Sequence, residues 1–281
     1  MIYVVFPAYN EAEAIGPALQ ALAEAARGSE SAWQAVLVDD GSTDGTAAAA
    51  QAAVAGCGGR LPLTVLRHET NQGLGAGLRT GIYWCLDRAG DDDVIVTLDA
   101  DNTHPPRLIP ALVERLGGRY DLAIASRYRA GSAVRGVPAH RRALSDAARL
   151  VFQLLFPIAG VRDYTCCFRA YRVPLLRRAR LAWGDGLCAA RGFEAVVDLL
   201  LRLRPLGVRA VEMGFELDYG PRLRQSKMKV LRTARATLAL LARRFLERFT
   251  VASSRRVRAR IEAVRRAAGT TATDPRKGDA P

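Results

Sequence analysis

VIVTLDAD, residues 94–101, decides the fold. Val94, Ile95, Val96, Thr97 and Leu98 form an unbroken apolar and β-branched run, the pattern of a strand buried on both faces. Asp99 and Asp101 follow it without a spacer. The same order recurs on either side. Residues 2–6 lead into Tyr9-Asn10-Glu11, residues 35–39 into Asp39-Asp40-Gly41-Ser42, and residues 122–125 into Ser126-Arg127, with a further short run at 63–67. Ala/Leu-rich helical stretches at 11–27, 43–55, 74–88 and 106–116 separate these runs. Strands alternating with helices of this length predict an α/β fold, a mostly parallel central sheet with helices on both faces. In such sheets ligands bind beyond the carboxyl ends of the strands, and the polar clusters are predicted to gather there.

The second half is less regular. Residues 141–156 read as an amphipathic helix ended by Pro157, 163–171 as a polar-aromatic stretch, 193–203 as a helix and 208–215 as a strand. From 229 to 249, Leu231, Leu238, Leu241, Phe245 and Phe249 recur near a helical period with Arg between them. The polar tail after Gly269 is expected to be disordered. Three parts are therefore expected: 1–228, a basic amphipathic helical segment 229–268, and the tail 269–281.

Of the 281 residues, 41 are Lys or Arg and 28 are Asp or Glu, a net charge of +13. Residues 227–268 hold 13 bases against two acids, so +11 of that excess lies in the C-terminal segment. Such a stripe either attracts a polyanionic surface or is a solvated helix face. No aromatic stacking platform accompanies it, which argues against nucleic acid as a partner. The start, MIYVVFPAYN, reads as a strand, so no secretory leader is expected, and the longest apolar candidate, 150–161, falls short of the about 20 residues a membrane span needs. Five cysteines without a CxxC spacing, Cys166 and Cys167 adjacent, fit reduced thiols and a cytoplasmic setting.

Asp99 and Asp101, two carboxylates at a strand end, suit a hard divalent cation, Mg²⁺ or Mn²⁺, which would neutralise a leaving diphosphate. Asp39 and Asp40 are placed to accept hydrogen bonds from a nucleobase or ribose, while Asp44 reads as a helix cap. Gly73-Leu-Gly75-Ala-Gly77 is not a dinucleotide fingerprint and reads as close packing at a helix start. His104 is either a ligand or neighbour of the metal or a polar loop residue.

Taken in order, PAYNE (7–11), VDDGSTDGT (38–46), NQGLGAGLRTG (71–81), LDADNTHPP (98–106) and SRY (126–128) resemble family 2 glycosyltransferases of the GT-A fold. RRALS (141–145), DYTCCFRAYR (163–172) and SKM (226–228) are similar to the dolichyl-phosphate mannose synthase branch, the polyprenyl-phosphate glycosyltransferases. The chain departs from that branch at Thr103, Cys166-Cys167, Asp198 and Arg224. The resemblance implies a Rossmann-like GT-A domain. It implies a nucleotide held by Pro7, Tyr9, Glu11, Asp39 and Asp40, and metal and diphosphate handled by Asp99 and Asp101. It further implies an acceptor phosphate received by Arg127, Arg141 and Ser145, with Arg222 and Lys227 closing over the donor.

The expected reaction is inverting transfer of a hexose from a GDP- or UDP-linked donor to a polyprenyl phosphate. A phosphate acceptor is already ionised near neutral pH and needs no base. A hydroxyl acceptor on a small soluble molecule is the alternative, and there Asp198 is the candidate base. The basic C-terminal helix would dock on an anionic inner leaflet, with Phe245 and Phe249 toward the acyl chains.

Overall fold

A computed structural model describes residues 1–59, 61–135, 139–218, 230–247, 259–264 and 266. Its core is a seven-stranded sheet built from β1 (Ile2–Ala8), β2 (Trp33–Asp39), β3 (Leu63–Arg67), β4 (Val94–Thr97), β5 (Leu122–Ser126), β7 (Arg169–Arg172) and β8 (Ala210–Gly214). The spatial order is β3-β2-β1-β4-β7-β5-β8. Neighbours pair parallel except β7, which runs antiparallel to both β4 and β5. The short strands β6 (Ala133–Arg135) and β9 (Glu216–Asp218) form a separate parallel ribbon.

Register brings the strand ends to one rim. Ala8 lies opposite Asp39 and Val5 opposite Thr97, so the acids after β2 and β4 flank the end of β1. β1 is buried along its whole length, and its side chains alternate between two cores. Tyr3 and Val5 join one with Leu78, Ile82 and Leu176; Ile2, Val4 and Phe6 join the other with Leu19, Leu22 and Leu112. Burial on both faces is why the strand runs lack polar alternation.

The helices among the described residues include α1 (Ala12–Ala26), α2 (Thr46–Ala55), α3 (Leu74–Leu86), α4 (Ile109–Glu114), α5 (Ala139–Leu155), α6 (Val173–Trp183), α7 (Glu194–Leu203) and α8 (Val230–Leu246). The helix expected over 106–116 begins as a 3₁₀ turn, Pro106–Leu108. α6 was not expected. The sequence reading places no element between 171 and 193, yet Leu175, Leu176, Ala179 and Ala182 form a buried stripe at helical spacing. Strand β7, within the polar-aromatic stretch, was also missed.

Two close approaches explain the glycines. Gly41, at φ +72°, turns the chain where a Cβ would stand 2.7 Å from the main chain of Thr70. A Cβ at Gly75 would run into the carbonyls of Cys188 and Ala190, so α3 touches the 188–191 loop backbone to backbone. Close packing at this helix start is as the sequence predicts.

The C-terminal helix packs on the rest of the chain. Leu240 and Leu241 of α8 are buried in the first core, as is Ile261.

Candidate active site

The rim is assembled by loops that bond to one another. The amides of Asn10 and Glu11 donate to Ser42 Oγ and Thr46 Oγ1, both at 2.9 Å, and Thr43 N–H donates to Asn10 Oδ1 at 2.8 Å. Asp44 ties α1 to α2: Oδ1 accepts from the Thr46 amide and hydroxyl at 3.1 and 2.5 Å, and Oδ2 from the Ala12 amide at 3.1 Å. Slight burial raises its pKa, but these bonds prevail and hold it below the usual carboxylate value. The N-cap position of α2 is Gly45, not the expected Asp44; Asp44 stands one residue ahead of it and accepts the first amides of both α1 and α2. Pro7 is buried, Glu11 half-buried and Tyr9 exposed at this edge.

Asp39 and Asp40 are both buried. Asp39 Oδ1 accepts from the Ser42 amide at 2.9 Å. Asp40 accepts three bonds from the chain itself: Gln72 N–H at 2.9 Å, Gly73 N–H at 2.7 Å and His68 Nδ1–H at 2.6 Å. The far side of the His68 ring meets Thr80 Oγ1 at 3.0 Å. Asp40 therefore holds the 68–73 loop against the rim, a task its sequence position did not show.

Beyond β4 the two acids stand at the rim, Asp99 with a third of its side chain exposed (32%) and Asp101 half-buried. Asn102 turns the chain at φ +58°, and Thr103 returns its amide and hydroxyl to Asp101 Oδ1 at 3.1 and 2.6 Å. His104 is not a polar loop residue. It is 6% exposed and packs against Phe168, tilted, and Phe215, edge-on, ring centres 5.5 and 6.0 Å away. Among the described residues no group of three or more His, Cys, Asp or Glu is placed to hold a metal ion. Two carboxylates nevertheless suit Mg²⁺ or Mn²⁺, which commonly take one or two from the protein and fill the shell with water and substrate phosphate.

Arg127 has a partner that the sequence did not reveal. Its Nε and Nη2 close on the two oxygens of Asp163 at 2.8 and 2.7 Å, and Thr165 Oγ1 lies 2.5 Å from Nη2. Among the described residues nothing bonds Nη1. Burial alone would raise Asp163; the charge and bonds of Arg127 instead bring it down to about 2. Next to it, Arg129 pairs with Glu212 at 2.8 Å, and Glu212 Oε1 accepts the amides of Arg162 and Asp163 at 2.6 Å. Strand β8 thus fixes the loop that fixes Arg127.

Ser145 is exposed on α5, one turn beyond Arg141, whose side chain lies outside the described residues. Arg222, Arg224, Lys227 and the tail lie outside them too. Asp198, the candidate base, has a different task. It is fully buried on α7 and paired through Oδ1 with Arg244 of α8 at 2.5 Å, with Arg202 at 3.6 Å. Both cysteines of the 166–167 pair are buried, and burial pushes the Cys166 thiol up to about 12.

A doubly covered α/β sheet whose carboxyl rim gathers these acids and loops is the architecture of GT-A-like glycosyltransferases. The chain belongs to glycosyl transferase family 2, whose family model matches residues 3–179. It is 31% identical over 240 residues to polyprenol monophosphomannose synthase of Mycolicibacterium smegmatis, covering 81% of this chain and 84% of that one. It is 32% identical over 212 residues to undecaprenyl-phosphate mannosyltransferase of Micrococcus luteus, covering 75% and 81%. Among solved structures, glucosyl-3-phosphoglycerate synthase from Mycobacterium tuberculosis, in complex with Mn²⁺, UDP-glucose and phosphoglyceric acid, superposes with a TM-score of 0.60. It is 21% identical and covers 87% of this chain and 79% of that one, a likeness of fold.

Proposed function

We propose that this glycosyltransferase moves a hexose, mannose or glucose, from a GDP- or UDP-linked donor to a polyprenyl phosphate, with inversion at the anomeric carbon. The observation that carries the reading is the acidic pair Asp99 and Asp101, held on the rim beside the Asp39–Ser42 and Tyr9–Glu11 loops. The names of the two relatives support the acceptor class. Fold neighbours solved with UDP and Mn²⁺ or Mg²⁺ support a divalent ion.

Asp99 and Asp101 would hold Mg²⁺ or Mn²⁺, which when bound supplies charge stabilisation to the departing diphosphate. Pro7, Tyr9, Glu11 and Asp39 seat the nucleotide, and Asp40 keeps the neighbouring loop in place. An acceptor phosphate oxygen, already ionised, attacks the anomeric carbon as the bond to the diphosphate oxygen breaks on the opposite face. No protein base is required, so the protein's work is positioning and electrostatics. Arg127 offers Nη1 to the acceptor phosphate while Asp163 fixes its other nitrogens. Arg141 and Ser145, one helical turn apart, extend that anion site. Arg222 and Lys227 complete the donor site. The small-hydroxyl acceptor is not favoured, because its base would be Asp198, which is buried and paired with Arg244.

The reading extends to location: a cytoplasmic enzyme, peripheral on the inner leaflet. None of the helices among the described residues is long and apolar enough to cross a membrane. α8 turns Leu238 and Phe245 outward, with exposed Arg235 and Arg243 beside them. Within the proposed division at 228 and 268, this outer face of the basic segment meets anionic lipid, and nucleic acid is not a partner.

The test is a donor screen by nucleotide release, with Mn²⁺, Mg²⁺ or EDTA, against undecaprenyl phosphate and against soluble hydroxylated acceptors. Release that requires both the metal and the lipid phosphate is expected. Full activity in EDTA removes the metal, and activity confined to soluble acceptors removes the lipid.

A further inference from the structure

We propose that His104 is a positioning residue for the metal-binding turn, and that it acts through the acceptor on its Nδ1. The amide of Asp99 donates to His104 Nδ1 at 3.3 Å, five residues ahead in the chain. Nδ1 therefore carries no proton, and Nε2–H points to Cys166 Sγ at 3.9 Å. The ring is buried between Phe168, at the end of the loop before β7, and Phe215, just after β8. This is a rigid mount. One face of the turn is fastened by Asp101 and Thr103, which bond to each other within it. His104 adds a fastening toward the sheet.

The consequence falls on the carboxylates. With its lone pair turned toward Asp99, Nδ1 offers no proton to that side chain, whose Oδ2 is 3.8 Å away. The ring fixes the Asp99 main chain without competing with a cation for the carboxylate. Groups that orient metal ligands in this way are worth about 10- to 100-fold in metal affinity. A histidine present for packing alone would be replaceable by any apolar residue of its size.

The inference rests on Asp99 and Asp101 binding a metal, so the experiment reads the two separately. His104→Asn and His104→Leu are nearly equal in shape and lose the ring equally. Asn can accept the Asp99 amide in place of Nδ1, and Leu cannot. Mn²⁺ binding is titrated by electron paramagnetic resonance in the presence of UDP or GDP, alongside thermal melting and the Mn²⁺ concentration that half-activates turnover. Expected are similar melting temperatures for the two variants and Mn²⁺ affinity near wild type for Asn. For Leu, affinity should be weaker by about tenfold or more. Equal Mn²⁺ affinity in the two variants overturns the proposal. Wild-type protein that binds no Mn²⁺ with nucleotide overturns the metal reading first, and this inference with it.

Discussion

Asp163 and Arg127 form a two-pronged ion pair across 36 residues of chain, and Asp163 also accepts the Arg127 amide at 3.1 Å. The carboxylate is wholly buried while the guanidinium keeps a partly open side, 17% exposed. The acid is thus the buried anchor, and the guanidinium is the member with an open side. Removing one partner of such a pair costs about 3–5 kcal/mol, so Asp163→Asn should lower the urea midpoint sharply. The pair also sets an acid limit. Asp163 is depressed from 3.8 to about 2, so its stabilisation is complete above about pH 4 and is lost as pH falls toward 2. Midpoints measured between pH 5 and 2 should fall more steeply in wild type than in Asp163→Asn.

Asp101→Asn keeps an oxygen for Thr103 and removes the charge. Turnover should fall about a thousandfold, several kcal/mol of charge stabilisation at about 1.4 kcal/mol per decade. The melting temperature should hardly move. A variant that is folded and fully active would end the metal assignment.

Arg244 joins α8 to the buried Asp198, so α8 is part of the folded unit and its outer face alone is left for a membrane. Asp198→Ala should cost about 3–5 kcal/mol by removing the buried partner of Arg244 and leaving it only Glu247, and replacing both Asp198 and Arg244 with Leu should recover part of that loss. Limited proteolysis should cut near α8 faster in the single variant than in the double. For the same reason, membrane docking is better tested by Leu238→Glu with Phe245→Glu than by deleting the helix. Sedimentation with phosphatidylglycerol vesicles should decrease, with melting unchanged.

Gly75→Ala has a sign that separates local from tertiary effects. In an isolated helix Ala is favoured over Gly by about 1 kcal/mol. Here the methyl meets the carbonyls of Cys188 and Ala190. Overpacking typically costs about 1–3 kcal/mol, so thermal melting should shift downward, and an upward shift would contradict the backbone contact.

The four buried thiols should be silent. Burial pushes Cys85, Cys166 and Cys188 up to about 12 and raises Cys167 well above its ordinary value, while Cys57 is half-exposed. A thiol reagent at pH 8 should label Cys57 in the native protein and all five cysteines in denaturant.

The strands and the rim were legible because their causes are local. A run such as Val94–Leu98 declares burial by composition alone, and the acids after it fall at the strand's carboxyl end. The close packing at Gly75 also follows from short-range rules, whereas the helix cap expected at Asp44 falls one residue later, on Gly45. α6 was hidden because arginines on its outer face outweighed its apolar stripe, and β7 because Arg169 opens a strand that reads as polar.

Tertiary structure alone decided which charged groups face solvent and which face each other. Arg127 with Asp163, Asp198 with Arg244, and His104 with the Asp99 amide are choices among many acids, bases and acceptors in the chain. Nothing in the spacing selects them. A pair of charges gains strength only when the fold removes the water between and around them, and burial is a property of the whole packed chain. The order of residues set the strands and their edge; the folded interior assigned each side chain on that edge its work.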